Sequence, residues 1–420
     1  MDKRDFIKKM GLLSLAPWSG FEKLDKLIPS VENRNARELA SDEDFWLGIR
    51  AGYRLKPDYI NLENGYYCIT PQETLENLIH HAREINYQGS YYMRTTQWDN
   101  KRSVCQRLAQ MAGCKAEEII VTRNTTESLD TVIQGIDWKK GDEAVMAHQD
   151  YGAMLDMFRL QAQRHGIINR LVSVPNHPKS DEDIVELYAS AITSNTRLLM
   201  VCHMINITGQ ILPIRKICDM AHSRGVEVMV DGAHAFGHFN FSIAELDCDY
   251  YGTSLHKWLS APLGCGMLYI KEGKVKDLWQ LYGEMGKEPD DIRRLNHTGT
   301  HPVYHDLAIG NALDYLDRLG LDRKEARLRY LQNYWTNKVR HWPKIILNTP
   351  ADPLRSCGIA NVGIDGMSPS KLAKTLMEDY RIWTVAIDGA DVHGCRISPN
   401  IYTTRDELDQ FVGALFQLSQ

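Results

Sequence analysis

Two residues in the segment Met229–Gly266 have side chains suited to chemistry on an aldehyde. Asp231 directly follows the apolar run Val228–Val230, and Lys257 ends the tetrapeptide Ser254-Leu255-His256-Lys257. A lysine forms an imine with an aldehyde only when its amine can lose a proton, which burial and neighbouring positive groups favour. A carboxylate facing a pyridine nitrogen keeps that nitrogen protonated, so the ring withdraws electrons from a substrate's α-carbon. The pair therefore predicts a site for pyridoxal phosphate.

Each residue also has an ordinary explanation when it is considered alone. Asp231 could cap a helix, and Lys257 could be a solvated surface amine, because isolated Asp and Lys residues are usually exposed. The segment around them favours the cofactor site. VDGAHAFGH followed by YGTSLHKWLSAPLGCG resembles the cofactor signature of class V aminotransferase-fold enzymes, which include cysteine desulfurases and isopenicillin N epimerase-like proteins. The resemblance extends from about Tyr59 to the C-terminus and is strongest to the epimerase-like subgroup.

A phosphate site is predicted where Thr125 and Thr126 follow one strand and open a helix. Hydroxyls and free backbone N–H groups at a helix N-terminus attract anions, although a Thr pair also makes a simple helix cap. In the resembling family the matching pair binds the cofactor phosphate. The resemblance implies that role for Thr125 and Thr126, with Ser254 and His256 completing the set.

Three further cofactor contacts are implied by the resemblance. Tyr151 follows the next strand, where the family places a ring that stacks on the pyridine; the alternative is a Tyr packed in a helix's first turn. Asn206 lies in the loop Cys202–Gly209, whose Asn reaches the substrate or cofactor oxygen. His234 matches a position that contacts the cofactor's phenolic oxygen.

The C-terminal segment Cys395–Tyr402 resembles the family motif whose arginine binds a substrate α-carboxylate. A planar guanidinium suits a carboxylate because it offers two parallel N–H donors. Arg396 therefore implies an amino-acid-like substrate. The dipeptide Gly299-Thr300 matches a segment that reaches the phosphate of the neighbouring subunit, so the resemblance also implies a homodimer with shared active sites.

Other classes of site are poorly matched. His234 and His238 have i,i+4 spacing, but without an HExxH motif or further ligands we predict no metal site. No G-x-G-x-x-G follows the first strand, which argues against a dinucleotide. The net charge of -5 argues against nucleic-acid binding, and no apolar run has the length of a membrane span.

The nine cysteines form no CxxC pair, so neither a disulfide framework nor a zinc ribbon is predicted. Desulfurases of the family carry a nucleophilic Cys on a loop before the Arg motif, because a thiolate attacks the substrate sulfur. Here the segment Thr384–Gly394, which we interpret as that loop, contains no Cys, and Cys395 adjoins the Arg at an expected packing position. Cysteine desulfurase activity is therefore not expected.

The first thirty residues form a possible export signal and flexible N-terminus. Lys3–Lys8, with the sequence KRDFIK, resembles a twin-arginine signal with Lys in place of the first Arg, followed by the short apolar run Met10–Ala16. The alternative is a basic amphipathic terminus. The sequence thus predicts either an exported, periplasmic protein or a cytoplasmic one.

The remaining chain is predicted to fold as an α/β protein with an N-terminal arm (31–58), a large pyridoxal-phosphate domain (59–275), and linker helices with a small α+β C-terminal domain (276–420). Short β-rich runs alternate with helical patterns in the large domain, which is typical of a mostly parallel sheet covered by helices. The resemblance implies the fold type I architecture of pyridoxal-phosphate transferases. The predicted strands are Ile119–Thr122, Ala144–Ala147, Leu171–Val174, Leu198–Cys202, Val226–Val230, Tyr250–Thr253 and Gly266–Ile270.

The sequence predicts a pyridoxal-phosphate enzyme acting at the α-carbon of an amino acid, with Lys257 moving the α-proton. An epimerase-like or aminotransferase reaction is the main expectation. A β-elimination lyase is one alternative. Another is a binding protein that keeps the fold without turnover, against which the joint presence of Lys257, Asp231 and Arg396 argues.

Overall fold

The computed structural model describes residues 21–420. The twin-arginine-like motif lies outside these residues and stays a prediction. Residues 21–30, which we grouped with a flexible N-terminus, are instead ordered as the helix Glu22–Leu27 and the start of the 3-10 helix Ile28–Val31. Phe21 and Leu24 are buried in an apolar cluster with Trp46, and this burial explains the difference.

A seven-stranded sheet forms the centre of the large domain. Its strands, in spatial order, are Ile119–Thr122, Gly266–Ile270, Tyr250–Ser254, Glu227–Asp231, Thr196–Cys202, Glu143–Ala147 and Ile168–Val172. The two pairings of Gly266–Ile270 are antiparallel and the other four pairings are parallel. The predicted α/β fold with a mostly parallel sheet is therefore confirmed.

Helices cover both faces of this sheet because its strands are apolar on both sides. Val228 and Val230 enter one apolar cluster while Met229 enters the other, as alternating strand residues must. The helices of this region are Gln72–Gln88, Ser90–Thr95, Gln97–Ala112, Thr125–Gly135, Gly152–His165, Asp181–Ala191, Ile214–His222, Ile243–Leu246 and Tyr304–Leu319. Tyr304–Leu319 packs on the large-domain core although we grouped it with the linker helices.

The C-terminal region contains a four-stranded antiparallel sheet in the order Val385–Gly389, Val392–Ile397, Ala360–Ile364 and Ile345–Leu347. Its helices are Leu321–Val339, Pro369–Tyr380 and Arg405–Leu418. The predicted small α+β domain is thus present. Our interpretation of 384–394 as a loop was wrong, because this segment forms a hairpin. Its turn places Ala390 and Asp391 in the left-handed region, with φ of 52° and 61°.

The N-terminal arm contains the helices Ala36–Leu39 and Glu43–Arg50. The short strand Ile60–Asn61 then pairs in parallel with Ile382–Trp383, which fixes the following residues against the C-terminal domain. Short 3-10 helices occur at Ala116–Glu118, Val275–Asp277, Ile292–Asn296 and Pro353–Arg355. Within residues 21–420 no helix combines the length and the apolar character needed to cross a membrane.

Candidate active site

The sheet brings Asp231 and the Lys257 segment together. The strands Glu227–Asp231 and Tyr250–Ser254 are parallel neighbours, with Asp231 opposite Gly252, so both end at the same edge of the sheet. Ligands of such sheets bind at the carboxyl ends of the strands. The chain continues three residues beyond Ser254 to Lys257, which therefore reaches the side of the site where Asp231 lies.

Two glycines let the turn after Asp231 approach its neighbours. A Cβ atom on Gly232 would lie 2.1 Å from the ring of Tyr251. Gly237 has a φ of 72°, and a Cβ there would lie 2.8 Å from the backbone nitrogen of Leu259. A side chain at position 232 would therefore clash with the neighbouring strand, and one at position 237 would separate the turn from the residues after Lys257. Lack of space for a Cβ atom thus explains why VDGAHAFGH has glycine at both positions.

His234 connects this turn to Lys257. Its Nε2 lies 3.0 Å from Lys257 Nζ, and its Nδ1 accepts a hydrogen bond from the indole N–H of Trp258 at 3.3 Å. Burial, reinforced by the positive charges of Lys257 and Arg396, holds the pKa of His234 well below its usual value. The imidazole is therefore neutral, and because Trp258 donates to Nδ1 we assign its proton to Nε2. Our sequence analysis did not identify Trp258, although it adjoins Lys257.

Burial also sets the protonation of the two central groups. It lowers the pKa of Lys257 to about 8, partly opposed by the negative charge of Asp231. The Asp231 side chain is 4% exposed, and its burial raises its pKa. Asp231 Oδ1 accepts the N–H of Ala233 at 2.9 Å. Among the described residues its Oδ2 has no hydrogen-bond partner, so it is available to a ligand.

The predicted phosphate residues meet at the N-terminus of the helix Thr125–Gly135. Ser254 Oγ accepts the N–H of Thr125 at 2.9 Å and lies 2.7 Å from Thr125 Oγ1. Asn124 caps the helix by accepting the N–H of Glu127. Thr126 is the next residue of the first helical turn, whose N–H groups lack partners within the helix. The positive end of the helix is thus lined with hydroxyl groups, which can donate hydrogen bonds to an anion.

His256 lies between this anion site and Lys257. Its Nδ1–H donates to the carbonyl of Cys265 at 3.2 Å. Burial lowers the pKa of His256 to about 4, so the ring is neutral without a ligand. A phosphate dianion beside Nε2 would raise this pKa. We therefore expect His256 to donate to a phosphate only after the phosphate has bound.

Tyr151 occupies the turn between the strand Glu143–Ala147 and the helix Gly152–His165. The residue is 48% exposed, so part of it is accessible to a ligand. The preceding Asp150, which our sequence analysis missed, accepts the N–H of Ala147 at 2.7 Å and fixes this turn. Burial raises the pKa of Asp150 to about 7.

The substrate-side residues Arg396 and Asn206 are also in contact. Arg396 Nη1 donates to the backbone carbonyl of Asn206 at 3.4 Å. Arg396 additionally forms a two-point ion pair with Glu63, a residue that sequence reasoning did not single out. Thr300 is exposed in the loop before Tyr304–Leu319. Within residues 21–420 no hydrogen bond joins Thr300 to the other predicted site residues.

These residues fit pyridoxal phosphate. Lys257 would hold its aldehyde carbon, and the free oxygen of Asp231 would face its ring nitrogen. His234 Nε2–H would donate to its phenolic oxygen. The phosphate would lie at the helix N-terminus beside Thr125, Thr126, Ser254 and His256.

Comparisons with known proteins agree with this fit. The chain matches the family model "Aminotransferase class-V" over residues 69–411. It is 27% identical over 395 residues to isopenicillin N epimerase of Streptomyces clavuligerus, covering 89% of this chain and 98% of that protein. It is also 26% identical over 385 residues to a cysteine desulfurase of Haloferax volcanii, covering 85% and 88%.

Solved structures show the same fold. The apo cysteine desulfurase of Thermococcus onnurineus NA1 superposes with a TM-score of 0.79 at 21% identity, covering 88% of this chain and 97% of that chain. The cystine C–S lyase C-DES, in complex with cysteine persulfide, gives a TM-score of 0.75 at 22% identity, covering 85% and 97%. The chain belongs to the class V aminotransferase family of pyridoxal-phosphate enzymes, which confirms the cofactor predicted from Asp231 and Lys257.

Proposed function

We propose that this protein acts at the α-carbon of a free amino acid, with an epimerase-like or aminotransferase outcome. The observation that carries the proposal is the environment of Lys257. Its amine lies 3.0 Å from His234 and has a pKa lowered to about 8, so a much larger fraction is neutral near physiological pH than for an ordinary lysine. A neutral amine is required both to bind an aldehyde and to accept a proton.

Each site residue has a separate role in this proposal. When bound, the cofactor supplies an electron-withdrawing ring that acidifies the substrate α-C–H bond. Lys257 would hold the cofactor's aldehyde carbon in the absence of substrate and, as a neutral amine, would remove the substrate's α-proton. Asp231 keeps the pyridine nitrogen protonated, and Arg396 binds the α-carboxylate.

The fate of the α-proton separates the possible reactions. Return of the proton to the other face of the α-carbon gives epimerisation, and delivery to the cofactor carbon gives transamination. Loss of a β-substituent would give elimination. The similarity to two isopenicillin N epimerases, at 27% and 28% identity over 89% of this chain, supports the first outcome.

The environment of the cysteines weighs against desulfurase chemistry. Cys395 is fully buried, its thiol donates to the carbonyl of Pro369 at 3.6 Å, and burial raises its pKa to about 11. The backbone N–H of Cys68 donates to the carbonyl of His256, the residue before Lys257, at 3.3 Å, but burial raises the pKa of the Cys68 thiol to about 12. A sulfur acceptor must react as a thiolate. Neither thiol meets this requirement.

We also propose that the protein is a homodimer with shared sites. The helices Gln72–Gln88, Ser90–Thr95 and Gln97–Ala112 carry exposed aromatic side chains: Tyr87 at 86%, Tyr91 at 58% and Trp98 at 60%. The buried Tyr92 of the same region packs against Val303, three residues after Thr300. A second copy covering these aromatic rings would bring its own Thr300 loop to the interface.

Two measurements test the proposed activity. The purified protein reconstituted with pyridoxal phosphate should show a visible absorption band that Lys257→Ala abolishes. A band that persists unchanged in Lys257→Ala would refute the role of this lysine. The holoenzyme is then incubated with a panel of amino acids in deuterated water, and the α-proton is followed by NMR.

The NMR outcome assigns the reaction. Exchange of the α-proton without keto acid or ammonia indicates epimerisation, whereas keto acid indicates transamination. Keto acid together with ammonia and a released β-substituent indicates elimination. An absence of exchange with every amino acid would favour a binding protein that retains the fold.

A further inference from the structure

The guanidinium of Arg396 is held along one edge by a buried carboxylate. Arg396 Nε donates to Glu63 Oε2 at 3.0 Å and Nη2 donates to Oε1 at 2.5 Å. The two side chains are only 8% and 7% exposed. Glu63 follows the short strand Ile60–Asn61, whereas Arg396 belongs to the C-terminal sheet. The pair therefore joins two separate parts of the chain at the substrate side of the site.

Counting hydrogen-bond donors shows which edge of Arg396 remains free. A guanidinium has five N–H groups. Glu63 accepts from Nε and from one N–H of Nη2, and the carbonyl of Asn206 accepts one N–H of Nη1 at 3.4 Å. Among residues 21–420 these contacts leave one N–H on each terminal nitrogen. Because Glu63 occupies the edge formed by Nε and Nη2, two parallel donors for a planar carboxylate can come only from the end-on edge, which Nη1 and Nη2 form together.

The loop that carries Glu63 also encloses one face of the guanidinium. A Cβ atom on Gly65 would lie 2.8 Å from Arg396 Cζ and 2.9 Å from Nε. Ser398 Oγ accepts the N–H groups of Asn64 at 2.8 Å and Gly65 at 3.0 Å, which ties this loop to the chain just after Arg396. Only a glycine allows the backbone to lie this close.

Glu63 is itself held in place. Its Oε1 accepts the N–H of Tyr66 at 2.9 Å, and its own N–H donates to Asn61 Oδ1 at 3.0 Å. Because the carboxylate is fixed by its own loop, it positions the arginine and does not merely follow it. It also cancels the charge of Arg396, so the empty subsite carries no net charge from this pair.

We propose that Glu63 is a specificity-determining positioning residue, which holds Arg396 so that only its end-on edge faces the substrate. This inference rests on the proposed function. The selection of substrates then depends on two aligned N–H groups of Arg396 and not on an uncompensated positive charge. The substrate class is a free α-amino acid with an unmodified planar carboxylate, and α-amides are rejected because their NH₂ group would face a donor.

The test compares glycine with glycinamide on the reconstituted holoenzyme. Neither probe has a side chain that could clash, and binding of each is followed by the change in the visible absorption band. We expect the wild type to prefer glycine. Glu63→Gln, which is isosteric but cannot accept from both nitrogens, should reduce this preference about tenfold, because one charge-assisted hydrogen bond is lost or misaligned. Gly65→Ala retains both charges but displaces the guanidinium, and should reduce the preference similarly.

A matched control is available in the pair formed by Arg50 and Glu407. Arg50 donates to the two carboxylate oxygens of Glu407 at 2.9 and 2.7 Å, in a two-point arrangement that involves none of the predicted site residues. Glu407→Gln should leave the preference for glycine unchanged. An equal reduction in this control would mean that the effect is a general loss of stability, and would overturn the proposal.

The outcomes separate this inference from the proposed function. A wild-type protein without a visible band would refute the proposed function and the inference with it. A normal band with an unchanged preference in Glu63→Gln would overturn the inference alone. An increased preference would also overturn it, since Glu63 would then be a competing anion. If Glu63→Gln does not fold, an unchanged preference in Gly65→Ala has the same meaning.

Discussion

Trp258 donates its indole N–H to Nδ1 of His234 at 3.3 Å, while Lys257 Nζ lies 3.0 Å from Nε2 of the same ring. Two consecutive residues therefore contact the two nitrogens of one neutral histidine. Because Nδ1 accepts, the proton of His234 is fixed on Nε2, where it faces the reacting amine. The imidazole thus offers a donor at the place where the cofactor's phenolic oxygen is expected.

Replacing Trp258 with Phe should disturb this arrangement without removing the aromatic ring. His234 would no longer have a fixed tautomer, and a neutral hydrogen bond of about 0.5–1.5 kcal/mol would be lost. We expect the pH midpoint of the holoenzyme's visible band to shift and turnover to fall by about two- to tenfold. Trp335→Phe is the control, because Trp335 is equally buried but its indole N–H has no partner in the described part of the chain. Identical midpoints in both variants and the wild type would contradict the role of Trp258.

The reaction of the cofactor-free protein with pyridoxal phosphate should depend on pH. Burial disfavours the charged amine and lowers the pKa of Lys257 to about 8. The neutral fraction therefore reaches one half at about pH 8 and is nearly complete roughly one to two pH units above it, whereas an ordinary lysine reaches one half only at about pH 10.4. The rate at which the visible band develops should rise with this neutral fraction and level off where the fraction is nearly complete.

Replacing Arg396 tests the direction in which its charge shifts the pKa of Lys257. The positive charge of Arg396 contributes to the lowered pKa of Lys257. Arg396→Gln removes that charge, so the break in the rate profile should move to higher pH. A wild-type profile that keeps rising to about pH 10 would show that the amine is not perturbed.

Gly232 should tolerate no side chain. A Cβ there would lie 2.1 Å from two ring carbons of Tyr251, whose side chain is completely buried and has no room to move. Gly232→Ala should lower the free energy of unfolding by about 1–3 kcal/mol and weaken cofactor binding, because the turn after Asp231 must shift. Chemical denaturation and titration with pyridoxal phosphate measure the two effects.

Gly413 provides the opposite case. It lies within the helix Arg405–Leu418, and a Cβ there would meet nothing within 4 Å. Gly413→Ala should raise the free energy of unfolding by about 0.5–1 kcal/mol, because alanine favours the helix. If Gly232→Ala and Gly413→Ala were equally destabilised, the clash between a Cβ atom and Tyr251 would not be the cause of the destabilisation at Gly232.

If the protein forms the proposed dimer, placing a charge at two different exposed aromatic residues should affect its oligomeric state differently. Trp98 is 60% exposed on the helix Gln97–Ala112, and Phe416 is 53% exposed on the last helix. Trp98→Glu would place a charge in the proposed interface and should shift the protein toward a monomer with weaker cofactor binding. Phe416→Glu should remain dimeric. Light scattering after size-exclusion chromatography distinguishes the two, and a wild-type monomer would refute the proposal.

Much of the fold could be predicted because strands buried on both faces are apolar throughout. Ile119–Thr122 and Gly266–Ile270 have the predicted bounds. The strand expected at Leu171–Val174 is instead Ile168–Val172, an edge strand that is buried only at its last residue. The hairpin that ends at Arg396 was missed because the half-exposed Val385–Gly389 has no regular alternation.

The candidate site residues that we predicted from the sequence belong to short motifs. Asp231, His234 and Lys257 stand in one segment, and the sheet brings that segment together as expected. By itself the sequence determined the chemical groups of the cofactor site, because their types and order along the chain are specific. The pairing of Glu63 with Arg396 joins residues 333 positions apart, for which no periodicity or spacing gives a signal. Only the tertiary structure decided that a carboxylate holds the arginine, because such contacts depend on how separate elements pack.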